Sequence, residues 1–266
     1  MKRDLQALQI VRACGRMVLL SDVRSCVNYM RLLGRSRFSA GPHAAALALR
    51  ARALKGQRVY CRPATTDVSV FHETFSGRYH IPPADLRIRT ILDLGSNIGL
   101  TMAHYASLYP EARILGVEID QGNADMCRAN IAPYVSRCDV LVGAAWKDDG
   151  EIAYGGEAEW GFRVIPESSG GHRRVRAFSM PALIDRLGVQ RVDFVKMDIE
   201  GAELDVLAGA RKWADRVGCL KVEIHSPYTL SACVRDLEAA GMHCQVVDDH
   251  FCCVLARHSG IRSDPS

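Results

Sequence analysis

Residues 90–120, TILDLGSNIGLTMAHYASLYPEARILGVEID, decide the fold of this chain. They begin with a short apolar run, 90–94, which ends in a glycine turn and continues into a stretch with apolar residues at helical spacing. A second apolar run, ILGVE, follows and ends at Glu118. Strand, turn, helix and strand in this order form the repeating unit of a parallel sheet covered on both faces. The turn lies at the carboxyl end of its strand, where open α/β sheets bind ligands.

The turn has the pattern D-x-G-x-N-x-G, formed by Asp93, Gly95, Asn97 and Gly99. Gly95 allows a sharp turn, and Gly99 allows the following helix to lie close to a bound ligand. A dinucleotide site uses three glycines and places a pyrophosphate at the helix N-terminus, where Asp93 would repel it. A carboxylate suits the cationic methionine amino group of S-adenosylmethionine (SAM) instead, bound directly or through water. The pattern therefore favours SAM over NAD.

The next two strands end in residues that fit the nucleoside of the same cofactor. Glu118 follows Asp93 by 25 residues and can accept hydrogen bonds from both ribose hydroxyls, although taken alone it is equally an acid that opens a helix. The third strand is followed by Ala144 and Ala145, small residues that leave room for adenine. The residues expected to bind SAM are Asp93, Gly95, Ser96, Asn97, Gly99, Glu118, Ile119, Ala144, Ala145 and Asp198.

A second unusual segment, VDFVKMDIEGAE at 192–203, is an apolar strand that ends in three acids. Asp198 comes directly after the strand and is expected to point into the cleft beside the reacting methyl group. Glu200 and Glu203 stand at the start of the next helix, where the helix dipole stabilises carboxylates. We assign a role at the reaction centre to Asp198 and Glu200. For Glu203, such a role and a purely structural role at the helix start are equally consistent with the sequence.

The following strand, LKVEIH at 220–225, supplies a base. His225 has an ordinary pKa of about 6.5 and could remove the proton of a substrate hydroxyl, or it could cap the loop before Pro227. Glu223 lies two residues earlier, so we expect it on the same face of the strand. The catalytic candidates are His225, Asp198, Glu200 and Glu223.

Three of these side chains, Asp198, Glu223 and His225, could alternatively hold a divalent cation such as Mg²⁺ that lowers the pKa of the substrate hydroxyl. The sequence contains no compact metal-binding motif, so no metal ligand is assigned. In either case the protein mainly positions the acceptor oxygen and accepts its proton.

These segments resemble the FkbM family of SAM-dependent methyltransferases. The matching stretches are VFHETFSGRYHIP at 70–82, the 90–120 segment and VDFVKMDIEGAELDVL at 192–207, within a resemblance that extends from about residue 68 to about residue 226. It implies O-methylation of hydroxyls on sugars, glycolipids or polyketide-type natural products. It also implies SAM contacts for Asp93, Gly95, Asn97, Gly99 and Glu118, a reaction centre at Asp198 and Glu200, and closure over the cofactor by Glu73.

The resemblance and the strand pattern predict an α/β fold, a class I methyltransferase Rossmann-like sheet that is mostly parallel, with about seven strands and the last one antiparallel. Residues 64–258 would form this domain, and residues 259–266 a flexible tail. Residues 1–63 lie outside the resemblance and are predicted to form a basic helical extension. The spacing of apolar residues predicts helices over 4–33 and 43–55.

A glycine-rich insertion at 151–178 is predicted to form a hairpin or a mobile loop. Trp160 in this insertion could stack on the face of a sugar acceptor, or it could cover the small core of the insertion itself. Tyr79, in the segment that leads into the domain, is the second substrate candidate.

Charge is distributed unevenly along the chain. Residues 1–63 contain 13 Lys and Arg against two acids, and the remainder contains 21 against 28. Such an arm could contact an anionic membrane surface or nucleic acid, but no aromatic residues alternate with its charges, which favours a solvated helical face. Nucleic-acid methylation is the weaker enzyme hypothesis, since no N-P-P-[YF] tetrad follows the fourth strand. The third hypothesis is a non-catalytic SAM-fold protein that only binds ligand, with the N-terminal helices as a dimerisation or membrane-surface arm. The apolar faces of these helices could also support a homo-oligomer.

The ten cysteines include no C-x-x-C pair, and several stand inside apolar runs, which predicts a reduced, cytoplasmic protein. No stretch approaches the ~20 apolar residues of a membrane span. The opening residues contain two internal arginines and no small-residue cleavage site, which argues against a signal peptide.

Overall fold

A computed structural model of the chain describes residues 17–34, 45–155, 163–164, 173–247 and 252–258. The chain separates into two compact units, Met1–Arg78 and Tyr79–Ser266. All of the predicted catalytic residues belong to the second unit.

The described residues of the first unit form two helices, α1 (Val23–Gly34) and α2 (Asp67–His72), and two short strands, β1 (Leu47–Leu49) and β2 (Val59–Cys61). The strands pair antiparallel, and α2 runs into a π-helical turn, Glu73–Gly77. Apolar side chains from both helices, both strands and the turns between them form the core of this unit: Tyr29, Leu32, Leu49, Leu54, Val59, Phe71 and Phe75.

The helix predicted over residues 43–55 is wrong, because residues 47–49 form β1 and residues 52–54 form only a short 3-10 turn. Pairing with β2 outweighs the helix propensity of this alanine- and leucine-rich segment. Lys55 then reverses the chain in a left-handed conformation, with φ of 51°.

Of the helix predicted over residues 4–33, the part over residues 23–33 is confirmed, whereas residues 17–22 are not α-helical, since α1 begins only at Val23 and residues 17–19 form a short 3-10 turn. Asp22 marks the start, because its Oδ1 accepts a hydrogen bond from the backbone N–H of Ser25 at 2.8 Å, as a helix N-cap does. Residues 4–16 of that prediction lie outside the described residues.

The second unit is an α/β structure whose strands and helices alternate along most of the chain. In chain order the strands are β3 (Thr90–Leu94), β4 (Arg113–Glu118), β5 (Cys138–Val142), β6 (Ala144–Ala145), β7 (Gly150–Gly155), β8 (Arg163–Val164), β9 (Arg173–Phe178), β10 (Val192–Met197), β11 (Val217–Glu223), β12 (Met242–Val247) and β13 (Cys253–His258). The helices are α3 (Leu100–Leu108), α4 (Gln121–Ile131), α5 (Met180–Leu187), α6 (Glu203–Ala208) and α7 (Leu230–Ala239).

Seven of these strands form the main sheet, in the order β12-β13-β11-β10-β3-β4-β5. Strand β13 runs antiparallel to both of its neighbours, and the strands from β11 to β5 are parallel to one another. The predicted class I methyltransferase sheet, mostly parallel with an antiparallel last strand, is therefore confirmed. The chain winds outward from β3 to β5 and then crosses to β10 on the other side of β3. Strands β3 and β10 thus flank the topological switch point, where such sheets bind ligands.

The sheet is buried on both faces. Neighbouring residues on one strand face opposite apolar clusters: Leu92 and Val195 belong to one cluster, and Ile91 and Phe194 belong to the other. Side chains alternate across a strand, so a run that is apolar throughout must be covered on both sides.

The insertion forms a second, four-stranded sheet in the order β6-β9-β7-β8. The consecutive strands β7 and β8 pair antiparallel, as in the predicted hairpin, and β9 pairs antiparallel with the other edge of β7. Residues 156–162 and 165–172 lie outside the described residues, and Trp160 is among them.

No helix in the described ranges combines the length and the apolarity that crossing a bilayer requires. The nine cysteines in the same ranges are all free thiols, and most are buried. A buried free thiol packs as a small apolar side chain.

Candidate active site

The carboxyl ends of β3 and β10 lie side by side at the switch point. Asp93 and Lys196 are register partners on the two strands, and the backbone N–H of Asp198 donates to the carbonyl of Leu94 at 3.1 Å. Gly95 has a φ of +78°, and a Cβ on it would lie 1.8 Å from the carbonyl oxygen of Asp198. Only glycine fits at this position. The close approach of this turn to the carbonyl of Asp198 places Asp93 and Asp198 at one edge of the sheet.

Asp93 is fully buried, and its neighbours satisfy only part of the hydrogen-bonding capacity of its carboxylate. Its Oδ2 accepts a hydrogen bond from the Thr101 hydroxyl. Its Oδ1 accepts none from the described residues and lies 3.5 Å from Lys196 Nζ. Burial raises the pKa of Asp93, and Lys196 lowers it in part. A buried carboxylate oxygen with free lone pairs fits a cationic donor, such as the amino group of SAM.

Lys196 is a buried cation at this edge, and it is absent from the residues predicted above. Its Nζ donates to the carbonyl of Gly95 at 3.0 Å and lies 3.2 Å from Asp198 Oδ2. Burial lowers the pKa of Lys196, but the charge of Asp198 and its other acidic neighbours raise it well above the ordinary value. Lys196 therefore stays charged and holds the two carboxylates close together.

Glu118, at the end of β4, is buried and held by backbone amides. Its carboxylate accepts hydrogen bonds from the N–H of Asn97 at 2.8 Å and from the N–H of Asp120 at 2.9 Å. Burial raises the pKa of Glu118 to about 7, and these hydrogen bonds oppose part of the rise. Asn97 is left-handed, with φ of 50°. The glycine turn and Glu118 therefore form one connected unit, as a shared ligand site requires.

Two further residues of the turn have structural partners. The Ser96 hydroxyl donates to the carbonyl of Asp93 at 2.7 Å. At Gly99, where φ is +78°, a Cβ would lie 2.5 Å from Cys127 Sγ. The glycine is therefore needed for close packing of α3 on α4, and its predicted cofactor contact stays a prediction.

The predicted adenine side of the site lies beyond β5. Ala144 and Ala145 are buried in β6, and the backbone N–H of Gly143 donates to the carbonyl of Glu118 at 2.9 Å. Ile119 packs with Ala144 in a small apolar cluster. Ala145 belongs instead to the main core of the second unit, and the contact of these residues with an adenine stays a prediction.

The loop after β10 is fastened by Glu203, which is fully buried. Its carboxylate accepts hydrogen bonds from the backbone N–H of Ile199 at 3.1 Å and of Gly201 at 2.9 Å. Glu200, between them, is left-handed with φ of 54°. Glu203 is therefore more than a helix-start acid, because it shapes the loop that carries Asp198 and Glu200.

His225 follows β11 and reaches the same loop. Its Nδ1 lies 2.8 Å from Glu203 Oε1. Its Nε2 faces three further carboxylates, at 3.9 Å from Asp198, 3.7 Å from Glu200 and 3.7 Å from Glu223. The three predicted catalytic acids are thus gathered around the imidazole of His225, the fourth predicted catalytic residue, and Glu223 and His225 do share a face.

The pKa values of this cluster reflect its burial and its charges. Burial lowers the pKa of His225, but the hydrogen bond to Glu203 and the nearby carboxylates raise it more, to about 9. Burial raises the pKa of Glu200 to about 7, against the charge of His225. Burial and the charge of Asp198 raise the pKa of Glu223 to about 7 as well. An imidazolium at neutral pH therefore stands beside two carboxyl groups that titrate near neutrality.

Asp198, Glu200 and His225 also lie within reach of a single cation, since one ligand atom of each is within 4.8 Å of the others. This trio contains Glu200 where the sequence suggested Glu223. A metal ion there would have to displace the proton that His225 carries. It would also compete with Lys196, which already compensates Asp198. We assign no metal to this cluster.

Tyr79 is the substrate candidate that the structure describes. It is half-buried, and burial raises its pKa while the charge of Lys196 opposes the rise. Tyr79 therefore stands within electrostatic reach of the acidic edge. Glu73 belongs to the first unit, and its closure over a cofactor, like the contact of Trp160 with an acceptor, stays a prediction.

A family profile described as "Methyltransferase FkbM domain" matches residues 93–241. The chain is 42% identical to O-methyltransferase imqG of Aspergillus flavus over 60 residues, which are 22% of this chain and 24% of that protein. It is 27% identical to 2-O-methyltransferase NoeI of Sinorhizobium fredii over 140 residues, 46% of this chain and 57% of that protein. The matched part of the chain thus spans about a quarter of the length of imqG and somewhat more than half of the length of NoeI.

Solved structures with a similar chain course include fibrillarin of Aeropyrum pernix with bound SAM, at a TM-score of 0.44 and 14% identity, over 81% of this chain and 96% of that chain. Precorrin-6y C5,15-methyltransferase of Geobacter metallireducens matches at a TM-score of 0.42 and 14% identity, over 66% of this chain and 85% of that chain.

Proposed function

We propose that this chain, which belongs to the methyltransferase FkbM domain family, transfers a methyl group from SAM to a hydroxyl oxygen. The acceptor class that we propose is a sugar, glycolipid or polyketide-type natural product. The names of the two relatives, an O-methyltransferase and a 2-O-methyltransferase, support oxygen as the acceptor atom. The free thiols of the described cysteines fit a reducing compartment such as the cytoplasm.

The observation that carries the proposal is the buried Oδ1 of Asp93 at the switch point, which has no hydrogen-bond partner among the described residues and only Lys196 Nζ at 3.5 Å. Five carboxylates gather at this edge in the described part of the chain, and Lys196 and His225 form ion pairs with them. An excess of buried negative charge is costly unless a cation compensates it. A cationic ligand beside Asp93 would therefore complete the compensation of this buried carboxylate. When bound there, SAM would supply an activated methyl group on a positively charged sulfur.

The residues that would hold the cofactor extend from Asp93 to Ala145. Asp93 would receive the amino group, Glu118 would accept the ribose hydroxyls, and Ala144 and Ala145 would lie against the adenine. The Asn97 and Asp120 amides already fix the Glu118 carboxylate, so it needs no reorganisation to accept further hydrogen bonds.

His225 is the group that we propose to accept the proton of the substrate hydroxyl. Glu203 binds Nδ1 and leaves Nε2 directed toward Asp198 and Glu223. Without a cofactor the imidazole is protonated at neutral pH, because its pKa is about 9. The positive charge of a bound cofactor lowers the pKa of the groups that face it. When SAM is bound, the imidazole of His225 would therefore lose its proton more readily, and in its neutral form it could accept the proton of the substrate hydroxyl.

The test is a methyl-transfer screen with labelled SAM against simple glycosides, glycolipids and hydroxylated polyketides. For an acceptor that is methylated, we expect His225→Gln to lower kcat by about 10²–10⁴-fold. SAM affinity should change little. Asp215→Asn removes an exposed carboxylate away from the edge and serves as the control. Equal kcat values for the wild type and His225→Gln would show that His225 does not take part in the reaction. Transfer of the methyl group to nitrogen or carbon would contradict the proposed O-methylation.

A further inference from the structure

Helix α1 in the first unit presents an apolar stripe to solvent. Val23 is 80% exposed, Val27 is 46% exposed and Met30 is 38% exposed. These residues are spaced by four and three positions, so their side chains lie along one face of the helix. We call Val23, Val27 and Met30 the exposed stripe.

The stripe does not belong to the core of its own unit, because α1 packs with its opposite face. Tyr29 and Leu32 are buried there. The Asn28 side-chain amide donates to the carbonyl of Ala48 on β1 at 2.9 Å, and the Ser25 hydroxyl accepts from the backbone N–H of Arg50 at 2.9 Å. The helix is thus anchored on one side and leaves the stripe on the other.

Positive charge borders the stripe. Arg24 and Arg31 are both exposed and lie seven positions apart, along one edge of the stripe. The helix itself, VRSCVNYMRLLG, contains no acidic residue. The acid that precedes it, Asp22, is occupied as the N-cap and lies 3.8 Å from Arg50 Nε. A ligand for this face must therefore offer both an apolar surface and negative charge.

We propose that the exposed stripe docks on an anionic membrane surface, with α1 lying in the plane of the interface. The apolar side chains would enter the headgroup boundary while the two arginines contact lipid phosphates. Twelve residues give a helix of about 18 Å, which is shorter than the roughly 30 Å hydrocarbon core and fits surface binding only. The 13 basic and two acidic residues of positions 1–63 strengthen attraction to an anionic surface. The same charge opposes pairing of the stripe with a second copy.

The experiment is sedimentation of the full chain with two kinds of vesicle, phosphatidylcholine mixed with phosphatidylglycerol and phosphatidylcholine alone. We expect the wild type to bind the mixed vesicles and to remain in solution with the neutral ones. Val23→Ser/Val27→Ser/Met30→Ser should weaken binding by at least about tenfold, because the apolar anchor is lost. Arg24→Gln/Arg31→Gln should also weaken it on the order of tenfold.

Val135→Ser is the matched control, because this valine is 76% exposed but belongs to the second unit and lies outside positions 1–63 of the sequence. It should bind as the wild type does. All variants change exposed side chains, and unaltered thermal unfolding will show that they fold. Undiminished vesicle binding by the stripe variant, or equal binding of the wild type to neutral vesicles, would overturn the proposal. A wild-type dimer that the stripe variant dissociates, with no vesicle binding, would identify a second copy as the partner and would overturn it as well.

Discussion

Glu203 Oε1 and His225 Nδ1 lie 2.8 Å apart, and this hydrogen bond joins residues that are 22 positions apart in sequence. The same carboxylate accepts two backbone amides of the loop after β10. An ionised carboxylate only accepts, so the proton of this bond is on the imidazole. One buried acid thereby sets the shape of the loop, the orientation of the ring and the nitrogen that faces the other carboxylates.

Glu203→Gln should lower the pKa of His225 from about 9 toward its ordinary value. A hydrogen bond to a charged group contributes about 1.5–3 kcal/mol, which corresponds to a change of about one to two pKa units. NMR titration of the imidazole measures the change. Asp205→Asn, on the same helix but paired with Lys147 at the surface, should leave the titration of His225 unaltered. An unchanged pKa in Glu203→Gln would show that Glu203 does not control His225.

Lys196→Met should destabilise the fold strongly. It would leave Asp93 and Asp198 without the cation that lies 3.5 and 3.2 Å from them. Breaking a buried ion pair by removing one partner costs about 3–5 kcal/mol. Urea unfolding provides the measurement, and the double variant Lys196→Met/Asp93→Asn should recover part of the loss. A loss below about 1 kcal/mol for the single variant, the range of surface pairs, would mean that Lys196 is dispensable.

The free energy of unfolding should decrease between pH 4.5 and 9. The pKa values of Glu200 and Glu223 rise from 4.5 to about 7 on folding, so their contribution is present below 4.5 and is lost as the pH rises through 7. The pKa of His225 rises from 6.5 to about 9, so its contribution is complete below 6.5 and is lost as the pH rises through 9. Urea unfolding at a series of pH values tests this. His225→Gln should flatten the decrease above pH 6.5, and an equally steep decrease in that variant would assign it to other groups.

Gly95→Ala should destabilise the protein more than Gly241→Ala. Both glycines have positive φ, +78° and +86°, so both substitutions impose backbone strain of about 1–2 kcal/mol. At Gly95 the new Cβ would also lie 1.8 Å from the carbonyl of Asp198, whereas at Gly241 nothing lies within 4 Å. The difference between the two losses in unfolding free energy isolates the contact of β3 with β10. Equal losses would show that this contact is not close.

The fold of the second unit could be predicted because its strands are apolar on both faces and its turns carry strong signals. The apolar run 90–94 forms β3 with the same bounds, β4 ends at Glu118, and β10 ends directly before Asp198, as predicted. The first unit was harder, because HAAALALRARALK has high helix propensity and only its pairing with residues 59–61 makes part of it a strand. Such pairing depends on tertiary contacts that local spacing does not contain.

The predicted catalytic cluster could be found because the carboxyl ends of parallel strands meet at one edge. Asp198, Glu223 and His225 each follow or end such a strand. Lys196 and Glu203 were harder to assign, since their roles depend on burial. The sequence contained one signal for Lys196: it stands inside the apolar run FVKMD, and a buried lysine needs an acidic partner.

Calorimetric titration with SAM tests the central claim most directly, because it needs no knowledge of the acceptor. We predict that the wild-type chain binds SAM with a Kd of about 0.1 mM or tighter, which corresponds to about −5.5 kcal/mol. Asp215→Asn should bind equally well, Asp93→Asn at least about tenfold more weakly, and NAD should give no binding heat. Absence of SAM binding at millimolar concentration, or binding of NAD in its place, would contradict the account.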